Sequence, residues 1–283
     1  MKIIIFGGSG FLGKNLASFF LQKKYVVTIF DKKKSFLKHK NLTKIQSDIE
    51  NFNDVNKAIK GNDFVYNFAG ISDIEESIKK PADTVKINIL GTINTLEASL
   101  KFGVKKYLFA SSIYVSSNQG GFYRTSKKAS ELYIEEYQRR FNQKFTIIRY
   151  GSIFGIASDK RNGISKIMHI AKKKNKLEYG GTSKALRKFI HIEDACKATV
   201  DLMKRKFDNK IVCIMGNKTT KIKDLMNYLQ KKLNIKKISY NNKPQLGHYD
   251  VNPFNYKPSK TIFYYRKKHI DFYKGLEEII KKN

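Results

Sequence analysis

Short apolar runs alternate with longer amphipathic stretches through the first half of the chain. Ile3 to Phe6, Val26 to Phe30, Thr43 to Gln46, Phe64 to Phe68, Tyr107 to Ala110 and Phe145 to Arg149 read as buried strands. Between them, the stretch from Thr84 to Lys101 places Val85, Ile89, Thr92, Leu96 and Leu100 on one helical face, and Ala129 to Arg140 shows the same period. Such alternation predicts an α/β fold with a doubly wound parallel sheet. After Tyr150 the pattern loosens into a Gly/Ser/Lys-rich passage from Gly155 to Lys188. Glu193 to Arg205 then reads as a helix, Ile211 to Ile214 as a further strand, and helices are expected near Ile222 to Leu233 and Gly275 to Lys281. No internal repeat is present.

Composition narrows this picture more than it changes it. The hydrophobic fraction of 41%, with 20 Phe and 16 Tyr in 283 residues, is enough for a packed core and excludes a disordered chain. The formal net charge of +32 raises polyanions as partners, yet Lys supplies nearly all of it and is scattered through every segment. Solvated surface lysines are the reading preferred over a nucleic-acid site. Cys196 and Cys213 match no zinc spacing, so no metal and a reducing compartment are expected. The apolar stretch from Ile3 to Leu12 is broken by glycines and followed by Lys14 and Asn15, which argues against a signal peptide or a membrane insertion. A soluble, cytoplasmic protein is the expectation.

The first chemical signal is Gly7, Gly10 and Gly13, spaced Gly-x-x-Gly-x-x-Gly between a strand and a helix. A chain that turns sharply, lets a pyrophosphate touch backbone and offers free N–H groups at a helix N-terminus needs positions without side chains. Asp31 falls at the end of the next strand, 18 residues after Gly13, where a carboxylate accepts both adenosine ribose hydroxyls and repels a 2′-phosphate. The pair predicts NAD rather than NADP, with Lys32 to Lys34 able to offset that preference. Asp48, after the third strand, is placed either to reach the adenine amine or to cap a helix. The expected architecture is a Rossmann-type sheet built by residues 1–150 with a return segment at 189–213, and a smaller substrate-binding lobe from 151–188 and 214–283.

Tyr123 and Lys127 stand at i and i+4 and project from one face of a helix turn. Tyr256 with Lys260 and Tyr264 with Lys268 share that spacing, so context has to choose. Only the first pair follows a strand ending in Ser111 and Ser112, which brings Ser112 and Tyr123 together at the carboxyl edge of the sheet. The other two pairs lie beyond the predicted sheet.

These residues carry a resemblance to the extended short-chain dehydrogenase/reductases, specifically the NAD-dependent epimerase/dehydratase family of nucleotide-sugar enzymes. It runs through GGSGFLG at Gly7 to Gly13, NFAG at Asn67 to Gly70, NILGTINTLEAS at Asn88 to Ser99 and YRTSKKASE at Tyr123 to Glu131. It continues through RYGSIFG at Arg149 to Gly155, RKFIHIEDA at Arg187 to Ala195 and YKGLEEII at Tyr273 to Ile280. The resemblance implies Tyr123 as acid/base, Lys127 as the residue that holds the nicotinamide ribose and eases Tyr ionisation, and Ser112 as the partner of the reacting hydroxyl. It implies further cofactor contacts from Phe11, Leu12, Ile49, Phe68, Ala69 and Gly70, and substrate contacts from Ser152 and from Arg187, the latter on the diphosphate. A phenol near pKa ~10 beside an ammonium is expected to move towards working pH.

Departures from the family pattern prune the chemistry. The segment between Ser112 and Tyr123 is short, with Ser116 and Ser117 where Tyr-Gly is usual. Ile113 and Tyr114 occupy the place of the Asp-Glu pair that a 4,6-dehydratase requires, so dehydration is rejected. Ser152 replaces a common Asn, and His191, flanked by Ile190 and Ile192, is read as packed structure and kept out of the mechanism. What remains is NAD-dependent redox modification of a nucleotide-diphosphate sugar: an epimerase acting through a 4-keto intermediate, with a 4-ketoreductase or 4-dehydrogenase as the alternative. A non-catalytic dinucleotide-fold module that binds RNA or protein is the contrasting class, favoured by the charge and opposed by the intact Ser112, Tyr123 and Lys127. The resemblance also implies a homodimer paired through Thr84 to Lys101 and Tyr123 to Arg140, and a role in polysaccharide biosynthesis. Nucleotide, sugar and pathway stay open.

Overall fold

The computed structural model describes residues 1–156, 158, 163–241, 261–266 and 268–282. Its first half is the expected alternation: β1 (Lys2–Phe6), α1 (Phe11–Gln22), β2 (Val26–Asp31), β3 (Leu42–Gln46), α2 (Phe52–Ile59) and β4 (Phe64–Asn67). Helices α3 (Ile74–Lys79), α4 (Pro81–Thr84) and α5 (Gly91–Lys101) follow, then β5 (Lys106–Ser112), α6 (Gly121–Phe141) and β6 (Phe145–Tyr150). The second half interleaves two kinds of element. Short pieces build the lobe: β7 (Ser152–Phe154), α7 (Gly163–Lys174), β8 (Lys176–Tyr179), β9 (Leu186–Arg187) and β10 (Phe189–His191). The chain then returns through α8 (Ile192–Asp201) and β11 (Lys210–Ile214), and closes with β12 (Thr220–Lys221), α9 (Ile222–Leu233), β13 (Lys237–Tyr240), β14 (Thr261–Tyr264) and α10 (Phe272–Lys282).

The central sheet runs β14-β11-β6-β5-β4-β1-β2-β3 and all its pairings are parallel. Strand order reverses between β1 and β4, so a crevice opens above their carboxyl ends. One apolar layer, with Leu16, Phe20, Ala195 and Cys196, packs α1 and α8 on one face, while Val55, Leu96, Ile134 and Tyr137 pack α2, α5 and α6 on the other. A third layer, with Ile167, Leu225, Leu229 and Leu276, holds α7, α9 and α10 together as the lobe. β14, from the stretch assigned to the lobe, forms the edge of the sheet instead. It is tied there by Arg149 Nη1 donating to Thr261 Oγ1 at 3.3 Å and Tyr264 OH donating to Asp201 at 3.0 Å. Tyr264 thus lies on the sheet with its phenol engaged, far along the strand order from β4, and Tyr256 and Lys260 lie outside the described residues.

One helix departs from its predicted face. A π-helical turn at Val85–Leu90 separates α4 from α5 and shifts the phase, leaving Val85 and Leu90 each about half exposed. Beside the buried Leu96, the inward face carries a small polar stripe: Thr84, Asn88, Thr92, Thr95 and Ser99 are buried. The hydroxyls among them donate back to carbonyls one turn earlier, as in Thr92 Oγ1 to Asn88 O at 2.7 Å, which makes polar burial tolerable.

Candidate active site

The turn after β1 is built from positions that no other side chain fits. Gly7 has φ +74°, and a Cβ there would stand 2.6 Å from the backbone of Phe68 and Ala69. A Cβ on Gly13 would fall 2.3 Å from Gly7 O, so α1 rests directly on the turn. Gly10 caps α1 without a side-chain bond, and the first turn, with Phe11 and Leu12, carries no acidic residue. Its amide hydrogens therefore offer an anion site uncontested by the protein. Beside it, the Asp31 carboxylate accepts from Ser9 N at 2.9 Å and Lys33 N at 2.8 Å, which fixes its orientation.

Asp48 does not cap a helix: Asn51 caps α2 through Asp54 N. Asp48 instead pairs with Lys32 at 2.8 Å, which draws one of the three lysines away from Asp31. Ile49 is buried, with Asn94 Nδ2 donating to its carbonyl at 3.0 Å. Phe68 and Ala69 close the far wall of the glycine turn, Phe68 N donating to Phe6 O at 2.9 Å.

Ser112 ends β5 and Tyr123 sits in the first turns of α6, and the tertiary fold brings both to the wall of one cavity, with the Ser112 hydroxyl close enough to the Tyr123 phenol to favour its ionised form. Tyr114 N donates to Ser112 Oγ at 3.3 Å, and Tyr123 N donates to Ser77 Oγ at 3.1 Å, which pins the start of α6 to α3. Burial pushes the phenol pKa up, offset in part by the Ser112 hydroxyl. Lys127 is itself buried, its ammonium 4.6 Å from the Phe109 ring centroid. Burial lowers its pKa to about 8, against a pull upward from Glu131.

Among the described residues, no hydrogen bond or ion pair is made by Lys127 Nζ. With no protein acceptor, its three N–H groups are free to donate to a hydroxyl-bearing ligand. Gly70 leaves the space open, since a Cβ there would lie 3.4 Å from Nζ. The glycine turn, the fixed Asp31 carboxylate and this unpaired ammonium together fit a dinucleotide.

Sequence reading missed the residues that hold this arrangement. Asn88, on the π turn, accepts from Ile71 N at 2.8 Å and donates to Ile71 O at 3.0 Å and Ser126 Oγ at 2.9 Å, locking the loop after β4 onto α6. Asn67 Nδ2 donates to Tyr107 OH at 2.9 Å. Beneath the site, Arg149 grips Glu131 with two bonds of 2.9 and 2.6 Å, and Ser111 Oγ donates to the same carboxylate at 2.6 Å. The available signal was the run of Thr, Asn and Ser at helical spacing from Thr84 to Ser99, overshadowed by the apolar stripe beside it.

A cavity of about 650 Å³ lies between the sheet edge and the lobe, lined by Ser112, Tyr114, Tyr123, Ser152, Tyr179 and Arg187 among others. The two substrate candidates, Ser152 and Arg187, therefore share one space with Ser112 and Tyr123. Ile113 and Tyr114 also line it, and the acidic residues of its wall are Asp73, Glu75 and Glu178. His191 is buried next to Phe154, with ring centroids 5.3 Å apart and Nε2 3.5 Å from Glu278, and it does not line this cavity. No group of three or more potential metal ligands occurs among the described residues, and none of the described helices is long and apolar enough to cross a membrane.

Comparison with known proteins agrees with this geometry. Residues 3–214 match the model of the NAD dependent epimerase/dehydratase family. A putative UDP-glucose 4-epimerase of Methanocaldococcus jannaschii is 26% identical, over 98% of this chain and 97% of its own length. The crystal structure of a Thermotoga maritima UDP-glucose 4-epimerase with UDP-glucose superposes with a TM-score of 0.85 at 22% identity, covering 99% of this chain and 98% of that one. A Bacillus cereus UDP-glucuronic acid 4-epimerase, solved with UDP-glucuronic acid and NAD, superposes with a TM-score of 0.86 at 20% identity over 99% and 98% of the two chains.

Proposed function

The chain belongs to the NAD dependent epimerase/dehydratase family, and from that premise we propose that it is an NAD-dependent nucleotide-sugar epimerase acting through a 4-keto intermediate. The observation that carries the reading is the meeting of Ser112, Tyr123 and the unpaired Lys127 ammonium beside a cavity that Arg187 also lines. Tyr123 takes the C4 hydroxyl proton, Ser112 orients that hydroxyl, and Lys127 supplies positive charge that favours the phenolate. NAD, which the glycine turn, Asp31 and Lys127 would hold, would supply the reversible hydride acceptor for C4. Arg187 holds the diphosphate. Ser152 contacts the sugar, and the cavity exceeds a hexose in size, which leaves the keto sugar room to turn before Tyr123 gives its proton back. Asp31 favours NAD over NADP. Leu90, Leu132, Tyr133 and Phe141 are exposed on or beside α5 and α6, which supports a homodimer through those helices, and the buried free thiols of Cys196 and Cys213 suit a reducing cytoplasm.

The test is a panel of nucleotide sugars incubated with the purified protein and catalytic NAD, read by mass spectrometry and NMR. Interconversion of C4 epimers without net cofactor consumption is expected. Stoichiometric consumption of NADH with a keto-sugar, and no epimer, would transfer the assignment to a 4-ketoreductase. RNA binding without turnover of any nucleotide sugar would overturn the enzymatic role proposed for this site.

A further inference from the structure

The crossover from β2 to β3 is not the helix that a parallel connection ordinarily uses. It is an irregular strap with the sequence KKKSFLKHK from Lys32 to Lys40, and it contains no acidic residue. Its ends are tied down: Lys33 O accepts from Ser9 Oγ at 2.9 Å, Lys32 O from Gln46 Nε2 at 3.3 Å, and His39 Nδ1 from Asn41 N at 3.1 Å. Ser35 is buried and Leu37 packs against the core layer of α1 and β1. This in-out-in alternation forces Phe36 outward, where it is 84% exposed, the most exposed large apolar side chain among the described residues. Lys32 is held by Asp48, while Lys33, Lys34, Lys38 and Lys40 make no ion pair among the described residues.

We infer that this strap is a peripheral docking surface for an anionic lipid bilayer, with Phe36 entering the headgroup layer between lysines that contact lipid phosphates. A ring this far exposed and flanked by lysines without ion pairs combines the apolar and basic contacts that an interfacial segment makes with an anionic bilayer. Lysines at the surface of an anionic leaflet add about 1 kcal/mol each, equivalent to roughly fivefold in partitioning, whatever their spacing, because lipids diffuse to meet them. The strap carries no arginine, the residue whose planar fork serves nucleic-acid recognition. Strand order puts β2 and β3 at the end of the sheet opposite β11 and β14, so docking there leaves the substrate cavity open. Lys172 to Lys174 at the end of α7 are as basic but carry no outward ring, which makes them an internal control.

The experiment is co-sedimentation of the full chain with phosphatidylcholine vesicles containing or lacking 30% phosphatidylglycerol, near 0.15 M salt, the percentage and salt being about physiological in order of magnitude. Binding to anionic but not neutral vesicles is expected. Phe36→Ser should weaken it about fivefold, and Lys34→Glu/Lys38→Glu/Lys40→Glu by about a hundredfold or more, since each change removes a cation and adds an anion. Lys172→Glu/Lys173→Glu/Lys174→Glu, with the same change in net charge, should bind within about twofold of the parent. Circular dichroism melts check that each variant is folded. Equal losses in the strap and control variants would reduce the effect to net charge and overturn the proposal, as would unchanged binding of Phe36→Ser. Tight binding of single-stranded RNA with no vesicle binding would assign the strap to a different polyanion.

Discussion

The glycine-turn crevice and the cavity beside the lobe are assembled by different means. The crevice is a backbone object. Gly7 and Gly13 are required because a Cβ would strike main chain at 2.6 and 2.3 Å, and Asp31 is oriented by backbone amides. The cavity is a side-chain object, walled by Tyr114, Ser152, Tyr179 and Arg187 drawn from short strands and loops around α7 and α9. Backbone geometry admits few substitutes, whereas a wall of side chains can be refitted one residue at a time. Tyr123 and Ser112 stand where the two meet.

That contrast makes substitutions sort by region. The largest effect falls on the boundary: Tyr123→Phe should lower kcat by about 10³ to 10⁴, with NAD affinity changed less than about threefold by titration calorimetry. A variant that kept its rate would remove the phenol from the mechanism. Next comes Gly13→Ala, whose methyl collides with backbone; stability and cofactor affinity should fall together, by about 3 kcal/mol or more in chemical denaturation. Unchanged stability would mean that the turn is not as rigid as the geometry requires.

Lys127→Met separates the two roles of a buried ammonium. Because folding lowers its pKa from 10.5 to about 8, the folded state carries a penalty that is full below pH 8 and vanishes as pH rises past 10.5. The shift corresponds to about 3 kcal/mol at pH 7. The cofactor-free variant should therefore melt higher than the parent at pH 7, with the difference shrinking by pH 10, while NAD affinity and turnover are lost. A lower melting point at pH 7 would show that the ammonium is paired in the absence of ligand. On the lobe side, Arg187→Ala should raise KM for the nucleotide sugar about tenfold to a hundredfold and leave NAD affinity intact. If NAD weakened as much as KM rose, crevice and cavity would not be separable. The smallest effect belongs to Ser152→Ala, about twofold to fivefold in KM.

The same division explains what was legible beforehand. The strands β1 to β6 followed from short apolar runs, and the glycine turn and Asp31 from their spacing along the chain. Ser112 and Tyr123, which line one cavity, were expected together because one ends a strand and the other opens a helix, a matter of local order. Of the face predicted for Thr84 to Lys101, Thr92 and Leu96 are buried, but Val85 is not, because a π turn at Val85–Leu90 changes the period within the segment, and Asn88 went unnoticed with it. β14 was invisible as part of the sheet because a four-residue edge strand is specified by its neighbours, here Arg149 and Asp201, more than by its own sequence.

By itself, the chain determined its alternation of strands and helices, the side-chain-free turn, and the order of the Ser, Tyr and Lys on which the chemistry is proposed to rest. These depend on local periodicity and on steric demands within a few residues. Only the tertiary structure decided which phase α5 presents, that Lys127 stands buried without a protein acceptor, that the phenol is raised while no ligand is present, and that Phe36 faces water. Each of those is a property of burial, and burial is set by segments distant in sequence that meet only when the chain has folded.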